Sequence, residues 1–258
     1  MKQALHIIKI GGNIIDNEDA LEKFLDDFSA LDGLKILVHG GGKLATRLSE
    51  KLAIPTVMHD GRRVTDEETL KLVTMVYAGW INKHIVAQLQ QRACNAIGLS
   101  GADANVIPAV KRASQPVDFG WVGDVYPAQI NCVFLRNLLG QHITPVFCAI
   151  THDQKGNLLN SNADTVASSL AVAMSNEFET SLIYCFEKDG VQSNPDDDDS
   201  IILEITRETY QKLKAKSIIS GGMIPKIDNA YKAIDAGVER VVIKHAKNLT
   251  NHKGTIVS

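Results

Sequence analysis

The fold is decided by the run Ala4-Leu5-His6-Ile7-Ile8-Lys9-Ile10-Gly11-Gly12, which joins an apolar strand to paired glycines and places one charge near its end. Burying an ammonium group is unfavourable unless an anion pairs with it. Glycine amides can donate hydrogen bonds to an anion that approaches the backbone closely. Two interpretations fit this stretch alone: Lys9 belongs to an anion site, or its ammonium group reaches solvent from an edge strand.

Composition narrows the classes of protein to consider. The 258 residues are 45% hydrophobic and 22% charged, which is typical of a soluble chain with a full core in one large domain or two lobes. The net charge of -3 argues against nucleic acid or an anionic membrane as the main partner. We recognise no transmembrane span or secretory signal and therefore expect a cytoplasmic protein. The four cysteines form no CxxC pair, so we predict reduced core thiols.

Two units of strand, glycine turn and helix follow one another at the start of the chain. They are strand 4–10, Gly11-Gly12 and a helix near Asn17–Ala30, then strand Lys35–Val38, Gly40-Gly41-Gly42 and a helix near Lys43–Leu52. Such units predict parallel strands whose glycine turns meet at the carboxyl edge of the sheet, where ligands bind.

The rest of the chain continues the alternation of strands and helices. We predict an α/β fold with an open, mainly parallel central sheet sandwiched between helices, divided into lobes 1–175 and 176–258, with β-hairpins inserted over a substrate pocket. The remaining predicted elements are hairpins at Thr56–Val64 and at Val106–Ala113 with Gly120–Gln129, helices at Asp66–Ala78, Ile81–Ala96, Arg207–Lys214 and Pro225–Ala236, strands at Ile143–Val146, Ser181–Phe186 and Arg240–Ile243, and turns at Gly98–Gly101 and Asn157–Asn160.

A second lysine repeats the chemistry of Lys9. Lys226 follows Gly221-Gly222 in the first turn of a predicted helix, where a cation is disfavoured unless an anion also binds. Asp164, in the first turn of another helix, suits the helix dipole and could also hold both lysines. The chain lacks the GxxxxGK[ST] and spaced GxGxxG motifs, which argues against a P-loop enzyme or a dinucleotide-binding domain. Two lysines with glycine amides supply the charge neutralisation that phosphoryl transfer needs.

Taken in order, the motifs resemble the acetylglutamate kinase branch of the amino-acid kinase family over nearly the whole chain. The Lys9 strand is shared with the aspartate, carbamate and uridylate kinases, whereas the Arg63 and Asn160–Asp164 motifs point to the acetylglutamate branch. The matching stretches are 8–12 (IKIGG), 38–42 (VHGGG), 61–66 (GRRVTD), 98–101 (GLSG), 120–125 (GWVGDV), 160–164 (NSNAD) and 222–226 (GMIPK).

The resemblance implies an ATP-dependent transfer of the γ-phosphate to the side-chain carboxylate of N-acetylglutamate, giving an acyl phosphate in arginine biosynthesis. Lys9 would stabilise the moving phosphoryl group, Lys226 the leaving side, and Asp164 would orient both lysines. A carboxylate is already ionised at neutral pH, so the reaction needs no general base, and we interpret His39 as structural. Mg²⁺ would arrive with ATP, and we predict no dedicated metal site in the protein.

The resemblance also assigns binding residues to the two lobes. The predicted substrate-binding residues, in the lobe that would bind acylglutamate and form the dimer, are Gly41, Gly42, Arg63, Asn160 and Asn162. The predicted nucleotide-binding residues are Gly11, Gly12, Glu187, Asp189, Gly190, Ser220, Gly222 and Met223. Two alternatives stay open: Arg63 could be a surface arginine of a hairpin, and the two asparagines could serve only a turn and a helix cap.

Three positions depart from the family pattern. Glu187-Lys188-Asp189-Gly190 stands where the family usually has Asp-Val-x-Gly, and Lys43 and Arg62 add charge near the predicted substrate site. A more cationic acyl pocket could favour N-succinylglutamate over N-acetylglutamate. The alternative is that Lys43 and Arg62 point to solvent.

The resemblance also predicts how the chain assembles, and two rival functions fit parts of the sequence. Arginine-inhibited relatives have an extra helix before the first strand, so we expect a homodimer that is insensitive to arginine, with helices near Asp66–Ala96 at its interface. The rival functions are another amino-acid kinase, of the aspartate or carbamate type, and a non-catalytic nucleotide-binding module. A dinucleotide-dependent oxidoreductase would need the spaced glycines that are missing here.

Overall fold

The computed structural model describes residues 2–59, 62–194, 197, 200–216, 218–219 and 223–258. The strands are β1 Ala4–Ile10, β2 Leu34–His39, β3 Met58–His59, β4 Arg62–Arg63, β5 Ala96–Leu99, β6 Ala109–Lys111, β7 Gly123–Val125, β8 Thr144–Cys148, β9 Ile150–His152, β10 Leu158–Asn160, β11 Glu179–Phe186, β12 Glu204–Ile205, β13 Arg240–His245 and β14 Thr255–Val257.

The helices alternate with these strands, as the sequence pattern predicts. The α-helices are α1 Gly12–Ile15, α2 Glu18–Ala30, α3 Gly42–Lys51, α4 Glu67–Thr74, α5 Asn82–Gln91, α6 Cys132–Gly140, α7 Ala163–Met174, α8 Arg207–Ala215 and α9 Met223–Asp235. A π-helical segment, Met75–Ile81, joins α4 to α5, and short 3₁₀ turns occur at Asp103–Asn105, Pro127–Gln129 and Ala246–Asn248.

One sheet of eight strands runs through the molecule in the order β12-β14-β13-β11-β1-β2-β8-β5. All neighbouring strands pair in parallel except β13 and β14, which are antiparallel. The two-stranded pairs β3–β4, β6–β7 and β9–β10 are antiparallel additions. The expected open, mainly parallel sheet with inserted hairpins is therefore confirmed.

The sheet is buried on both faces, which explains why β1 is almost entirely apolar. Alternate residues of β1 contribute to different cores: Leu5 and Ile7 face one, Ile8 and Ile10 the other. Helices α6, α7 and α9 cover the first face, and α2, α4 and α5 cover the second. Three layers of helix, sheet and helix follow from this two-sided strand pattern.

The predicted break between two helices after Ala78 is wrong. The helical run continues from Glu67 to Gln91 through the π segment, whose Val76, Tyr77 and Ile81 are buried. Packing on the core keeps this stretch helical although it contains a glycine. The second predicted helix also extends too far, because Ala96 already belongs to β5.

Two predicted turns lie partly in strands: β5 extends through Leu99, so the turn predicted at Gly98–Gly101 starts only at Ser100. Gly98 lies in β5, where a Cβ atom would come within 2.0 Å of the Asn82 side chain, so glycine here permits close packing of helix on strand. The predicted turn at Asn157–Asn160 lies mostly in β10; the turn itself comes earlier, where the Asp153 carboxylate accepts hydrogen bonds from the amides of Lys155 and Asn157.

The carboxyl ends of β1, β2, β8 and β11 lie side by side. Ile10 is in register with His39 of β2 and Cys185 of β11, and His39 is in register with Cys148 of β8. The loops that follow these strands therefore meet at one edge of the sheet, the edge at which an α/β protein binds its ligands.

The state of the cysteines and the length of the helices both bear on the sequence predictions. Cys94, Cys132, Cys148 and Cys185 are all free thiols. Among the residues that the structure describes, no helix is both long and apolar enough to cross a membrane.

The glycine turn after β2 packs tightly against the π segment. A Cβ atom at Gly41 would lie 2.4 Å from Cδ1 of Ile81 and 2.7 Å from Cδ1 of Tyr77, whereas at Gly42 the nearest atom, the Tyr77 hydroxyl, would be 3.9 Å away. Protein packing alone therefore requires glycine at position 41 but not at position 42.

This difference predicts that Gly41→Ala is destabilising and Gly42→Ala is not. Overpacking by the added methyl should lower the free energy of unfolding of Gly41→Ala by about 1–3 kcal/mol. The matched variant Gly42→Ala, at the first residue of α3, should stay within about 0.5 kcal/mol of the parent. Urea unfolding followed by circular dichroism measures both values, and equal stabilities for the two variants would contradict the packing argument.

Candidate functional site

Two lysines and one aspartate meet at the carboxyl edge of the sheet. Lys9 comes from the end of β1, and its Nζ lies 2.7 Å from Oδ1 of Asp164 in the first turn of α7. Their side chains are only 15% and 23% exposed, so water screens the pair weakly. Lys226, in the first turns of α9, is close enough to act electrostatically on both residues. We call Lys9, Asp164 and Lys226 the charge cluster.

The charge cluster shifts the pKa values of its members. Burial alone raises the pKa of Asp164, but Lys9 and Lys226 outweigh it, so the net pKa lies below the usual value and the carboxylate stays ionised. Burial lowers the pKa of Lys226; Asp164 opposes this shift and Lys9 adds to it. Lys226 also lies over the ring of Phe186, with Nζ 5.0 Å from the ring centroid. The arrangement brings two cations near one largely buried carboxylate.

The glycine turns beside the cluster present backbone amides. Helix α1 begins after Gly11 and α3 begins after Gly41, and neither helix has a side chain that caps its first amides. A Cβ atom at Gly11 or Gly12 would meet nothing closer than 3.8 Å. Protein packing therefore does not explain these two glycines, and their contact with a nucleotide phosphate stays a prediction.

A cavity of about 200 Å³ opens beside the glycine turn of β2. All five predicted substrate-binding residues line it: Gly41, Gly42, Arg63, Asn160 and Asn162. The cavity also touches Ala163, the residue before Asp164, so it adjoins the charge cluster. We call it the arginine cavity, because Arg62, Arg63 and Arg112 are among its lining residues.

Arg63 is buried, and so it is not the surface arginine of the alternative interpretation. Its guanidinium group donates to the Gly42 carbonyl at 3.0 Å and to the hydroxyls of Thr46 and Thr56 at 2.7 and 3.2 Å. These contacts tie the hairpin β3–β4 to the first turn of α3. They hold the planar group at the cavity wall, where a carboxylate can reach the donors that remain.

The two asparagines have structural contacts as well as a place at the cavity. Asn160 donates from Nδ2 to the Thr65 hydroxyl at 3.0 Å, and Asn162 caps α7 by accepting from the Thr165 amide at 3.1 Å. The cap that the sequence suggested is thus present at Asn162. Substrate contact by either amide stays a prediction.

His39 is held as a neutral structural residue under the glycine turn. The Asn82 amide lies 3.1 Å from Nε2, and the Gly40 carbonyl lies 2.8 Å from Nδ1. The carbonyl can only accept, so Nδ1 carries the proton and Nε2 accepts. Complete burial lowers the pKa of His39 to about 4. The interpretation of His39 as structural agrees with these contacts.

The predicted nucleotide-binding residues of the second lobe have different surroundings. Glu187 is exposed and lies near enough to Lys226 to raise its pKa. Asp189 accepts a hydrogen bond from Asn248 at 2.9 Å and forms an ion pair with Lys253 at 2.5 Å. Met223 begins α9. Ser220 and Gly222 lie outside the described residues.

Gly190 has a clear packing reason to be glycine. A Cβ atom there would lie 2.7 Å from the Thr255 hydroxyl and 2.8 Å from Cγ2 of Ile201. Close packing on β14 thus explains this residue, and its contact with a nucleotide stays a prediction.

Sequence reasoning did not identify Arg112 and Tyr77 as residues of the site, and it placed Lys43 near the substrate site. Arg112 and Tyr77 line the arginine cavity, although neither belongs to a predicted motif. Lys43 is not among the residues that line this cavity; its Cγ lies 3.8 Å from the Cβ position of Gly12, on the side of the first glycine turn. No local signal marks Arg112, since its role depends on how the hairpin β6–β7 folds back.

Comparison with known proteins agrees with this architecture. Residues 4–245 match the family model described as the amino acid kinase family. The acetylglutamate kinase of Phocaeicola vulgatus is 52% identical over 257 residues, covering 100% of this chain and 99% of that protein. The acetylglutamate kinase of Cytophaga hutchinsonii is 55% identical over 248 residues, covering 96% and 93%.

A solved structure supports the fold independently. The N-acetylglutamate synthase from Neisseria gonorrhoeae, complexed with coenzyme A and N-acetyl-glutamate, aligns with a TM-score of 0.81 at 21% identity. The alignment covers 99% of this chain and 59% of that one, and at this identity the likeness concerns the fold alone. The resemblance and the fold class inferred from the sequence are confirmed.

Burial of neutral His39 predicts an acid-sensitive fold. Its folded pKa of about 4 lies below the ordinary value of 6.5, so the folded state resists protonation and the unfolded state does not. The stabilisation is complete above pH 6.5 and is lost as the pH falls towards 4, amounting to about 3 kcal/mol. Urea unfolding between pH 4 and pH 7 measures the effect.

Two variants test whether the imidazole of His39 causes this dependence of stability on pH. His39→Gln keeps a donor and an acceptor but does not titrate, so the dependence of stability on pH should flatten. His252→Ala, which removes an exposed imidazole, should leave that dependence unchanged. A pH dependence that is identical in the parent and in His39→Gln would assign the acid sensitivity to other groups.

Proposed function

Because the chain belongs to the amino acid kinase family, we propose that it transfers the γ-phosphate of ATP to the side-chain carboxylate of N-acetylglutamate, as a step of arginine biosynthesis. The product is an acyl phosphate. The observation that carries the proposal is the ion pair between Lys9 and Asp164, placed between uncapped glycine amides and the arginine cavity. The full-length identity with acetylglutamate kinases supports the choice of acceptor.

The chemistry needs positioning and charge stabilisation rather than a base. An oxygen of the ionised carboxylate attacks the γ-phosphorus, and the bond from that phosphorus to the bridging oxygen breaks as ADP leaves. Buried His39, with its lowered pKa, is engaged with the backbone and Asn82 and has no proton to remove from such an acceptor.

Each member of the charge cluster has a role in this transfer. Lys9 stabilises the negative charge of the moving phosphoryl group, and Lys226 stabilises the charge that develops on ADP. Asp164 holds the ammonium group of Lys9 in place and lowers the repulsion between the two lysines. The amides after Gly11 and at Gly41 and Gly42 donate to the phosphates and to the attacking carboxylate.

The two lobes divide the substrates between them. In this proposal residues 1–175 bind the acylglutamate through Gly41, Gly42, Arg63, Asn160 and Asn162, and residues 176–258 bind ATP. Asp164 is occupied by Lys9, so ATP itself provides most ligands of its Mg²⁺, which neutralises phosphate charge when bound.

Removal of either lysine should reduce turnover. We expect Lys9→Ala and Lys226→Ala to lower kcat by about 10²–10³-fold, because each lysine stabilises charge in the transition state, with a smaller change in KM for N-acetylglutamate. A coupled assay of ADP release with N-acetylglutamate measures both constants. Lys216→Ala, which removes an exposed lysine, is the matched control and should retain parental kinetics.

The same assay compares the rival functions. A non-catalytic nucleotide-binding module would bind ATP and release no ADP with any acylated glutamate. Another amino-acid kinase would turn over aspartate or carbamate instead. Parental kcat in Lys9→Ala would rule out the proposed role of the charge cluster.

A cytoplasmic homodimer completes the proposal. The helical run from Glu67 to Gln91 carries two large exposed apolar side chains, Met75 at 60% and Trp80 at 65% exposure. Apolar side chains of this size are typical of the buried centre of an interface. Their position agrees with the dimer helix inferred from the sequence.

A charge placed on this helix should separate the subunits. Trp80→Glu should shift the mass found by light scattering from dimer to monomer, because a carboxylate in an apolar interface is left unpaired. Leu203→Glu, at another large exposed apolar residue, is the matched control and should remain a dimer. A monomeric parent protein or a dimeric Trp80→Glu variant would contradict this interface.

A further inference from the structure

The arginine cavity carries more positive charge than its proposed ligand can match. Arg62, Arg63 and Arg112 line it, and among the described residues no carboxylate does. N-acetylglutamate brings two carboxylates: in the proposed function its side-chain carboxylate lies at the charge cluster, and its α-carboxylate would pair with the guanidinium group of Arg63. Neither substrate carboxylate is then left for the other two arginines: among the described residues Arg112 has only Asp124 as its anionic partner, and Arg62 forms no ion pair with any of them.

Arg112 is held rigidly but incompletely. It follows β6, and its Nε lies 3.1 Å from both carboxylate oxygens of Asp124 in β7, while Nη2 also contacts Asp124. The guanidinium carbon lies 5.3 Å from the ring centroid of Phe119. These contacts fix the plane of the group, so that Nη1 has a defined position.

Among the buried polar atoms that lack a hydrogen-bond partner within the described residues, Nη1 of Arg112 is the one that belongs to a guanidinium group. It is buried, yet within the part of the chain that the structure describes it has no hydrogen-bond partner. Buried donors of charged groups are nearly always paired, because an unpaired one is strongly unfavourable. A donor left unpaired in the wall of a binding cavity indicates an acceptor that arrives with the ligand.

Arg62 is a second arginine that could bind an anionic ligand in this cavity. It is exposed on the hairpin β3–β4, lines the same cavity and forms no ion pair with any described residue. By contrast, the next cation along the chain from Arg112, Lys111, lies outside the cavity, with Nζ 3.9 Å from the centre of the Trp121 ring. Lys111 is thus a neighbouring cation that does not belong to the cavity.

We infer that Arg112, together with Arg62, forms a subsite for a carboxylate on the acyl group of the substrate, so that dicarboxylic acylglutamates such as N-succinylglutamate are favoured over N-acetylglutamate. Guanidinium groups bind carboxylates with two parallel hydrogen bonds, which suits a fixed arginine. The phosphoryl transfer itself is unchanged. This inference rests on the proposed function, since it concerns the acyl end of the same substrate.

The competing explanation is that Arg112 serves only to clamp the hairpin through Asp124. A clamp would affect all substrates alike, whereas a subsite affects only those with a negative acyl group. The ratio of kcat/KM between two substrates therefore separates the two roles, even when a variant is partly destabilised.

The experiment measures kcat/KM for N-succinyl-L-glutamate, for its neutral terminal amide of the same length, and for N-acetyl-L-glutamate. In the parent protein we expect the succinyl compound to exceed the other two. Arg112→Met should lower the succinyl-to-acetyl ratio by about 10- to 100-fold, the range expected for a lost charged hydrogen bond, mainly through KM. Arg112→Lys keeps the charge but not the fork and should fall in between.

Lys111→Met is the matched control, because it removes a neighbouring cation that does not line the cavity. It should leave the ratio at the parental value. A parental preference for the acetyl compound, equal rates with the succinyl compound and its neutral amide, or an unchanged ratio in Arg112→Met would each overturn the subsite. Failure of the parent protein to phosphorylate any of the three compounds would instead overturn the proposed function, and the subsite with it.

Discussion

The ion pair between Lys9 and Asp164 is the interaction on which the site depends. Two ammonium groups near one another repel, and burial at the sheet edge makes that repulsion stronger than it would be in water. Asp164 lies near both, remains ionised because they lower its pKa, and reaches Lys9 at 2.7 Å. Its position in the first turn of α7 places the carboxylate where the helix dipole also favours it. The carboxylate thus allows positive charge to be concentrated where phosphates are expected to bind.

The excess of positive charge is larger in the arginine cavity than in the charge cluster. Within the charge cluster one carboxylate partly balances two lysines, but in the arginine cavity Asp124 is the partner of only one of three guanidinium groups. An excess of positive charge in one cavity destabilises the free protein through repulsion, and this repulsion is relieved when anions bind. The fold maintains the positive charge of Arg63 by hydrogen bonds to neutral oxygens. The acceptors are the hydroxyls of Thr46 and Thr56 and the carbonyl of Gly42, which hold the guanidinium group without neutralising its charge.

The parts of the site that sequence predicts are those with local signals. A lysine in an apolar strand, glycines at a strand end and an aspartate in a first helical turn are each visible within a few residues, and parallel topology brings them to one edge. The π segment, the strand at Gly98 and the place of Arg112 were not predictable in this way. Each depends on a contact with residues elsewhere in the sequence. The π segment packs on Gly41 through Tyr77 and Ile81, the strand at Gly98 packs on Asn82, and Asp124 fixes the position of Arg112.

The glycines show how structure refines a motif. Gly41 and Gly190 both stand where a methyl group would collide with the protein, so packing alone accounts for them, whatever they bind. Gly11 and Gly12 have no such neighbours, yet they sit beside the charge cluster at the start of an uncapped helix. No described residue excludes a side chain there, which fits the proposal that a phosphate approaches these amides. Among the described glycines of these motifs, Gly11 and Gly12 combine open space with a position next to Lys9, so the proposal of phosphate binding depends on them more than on Gly41 or Gly190.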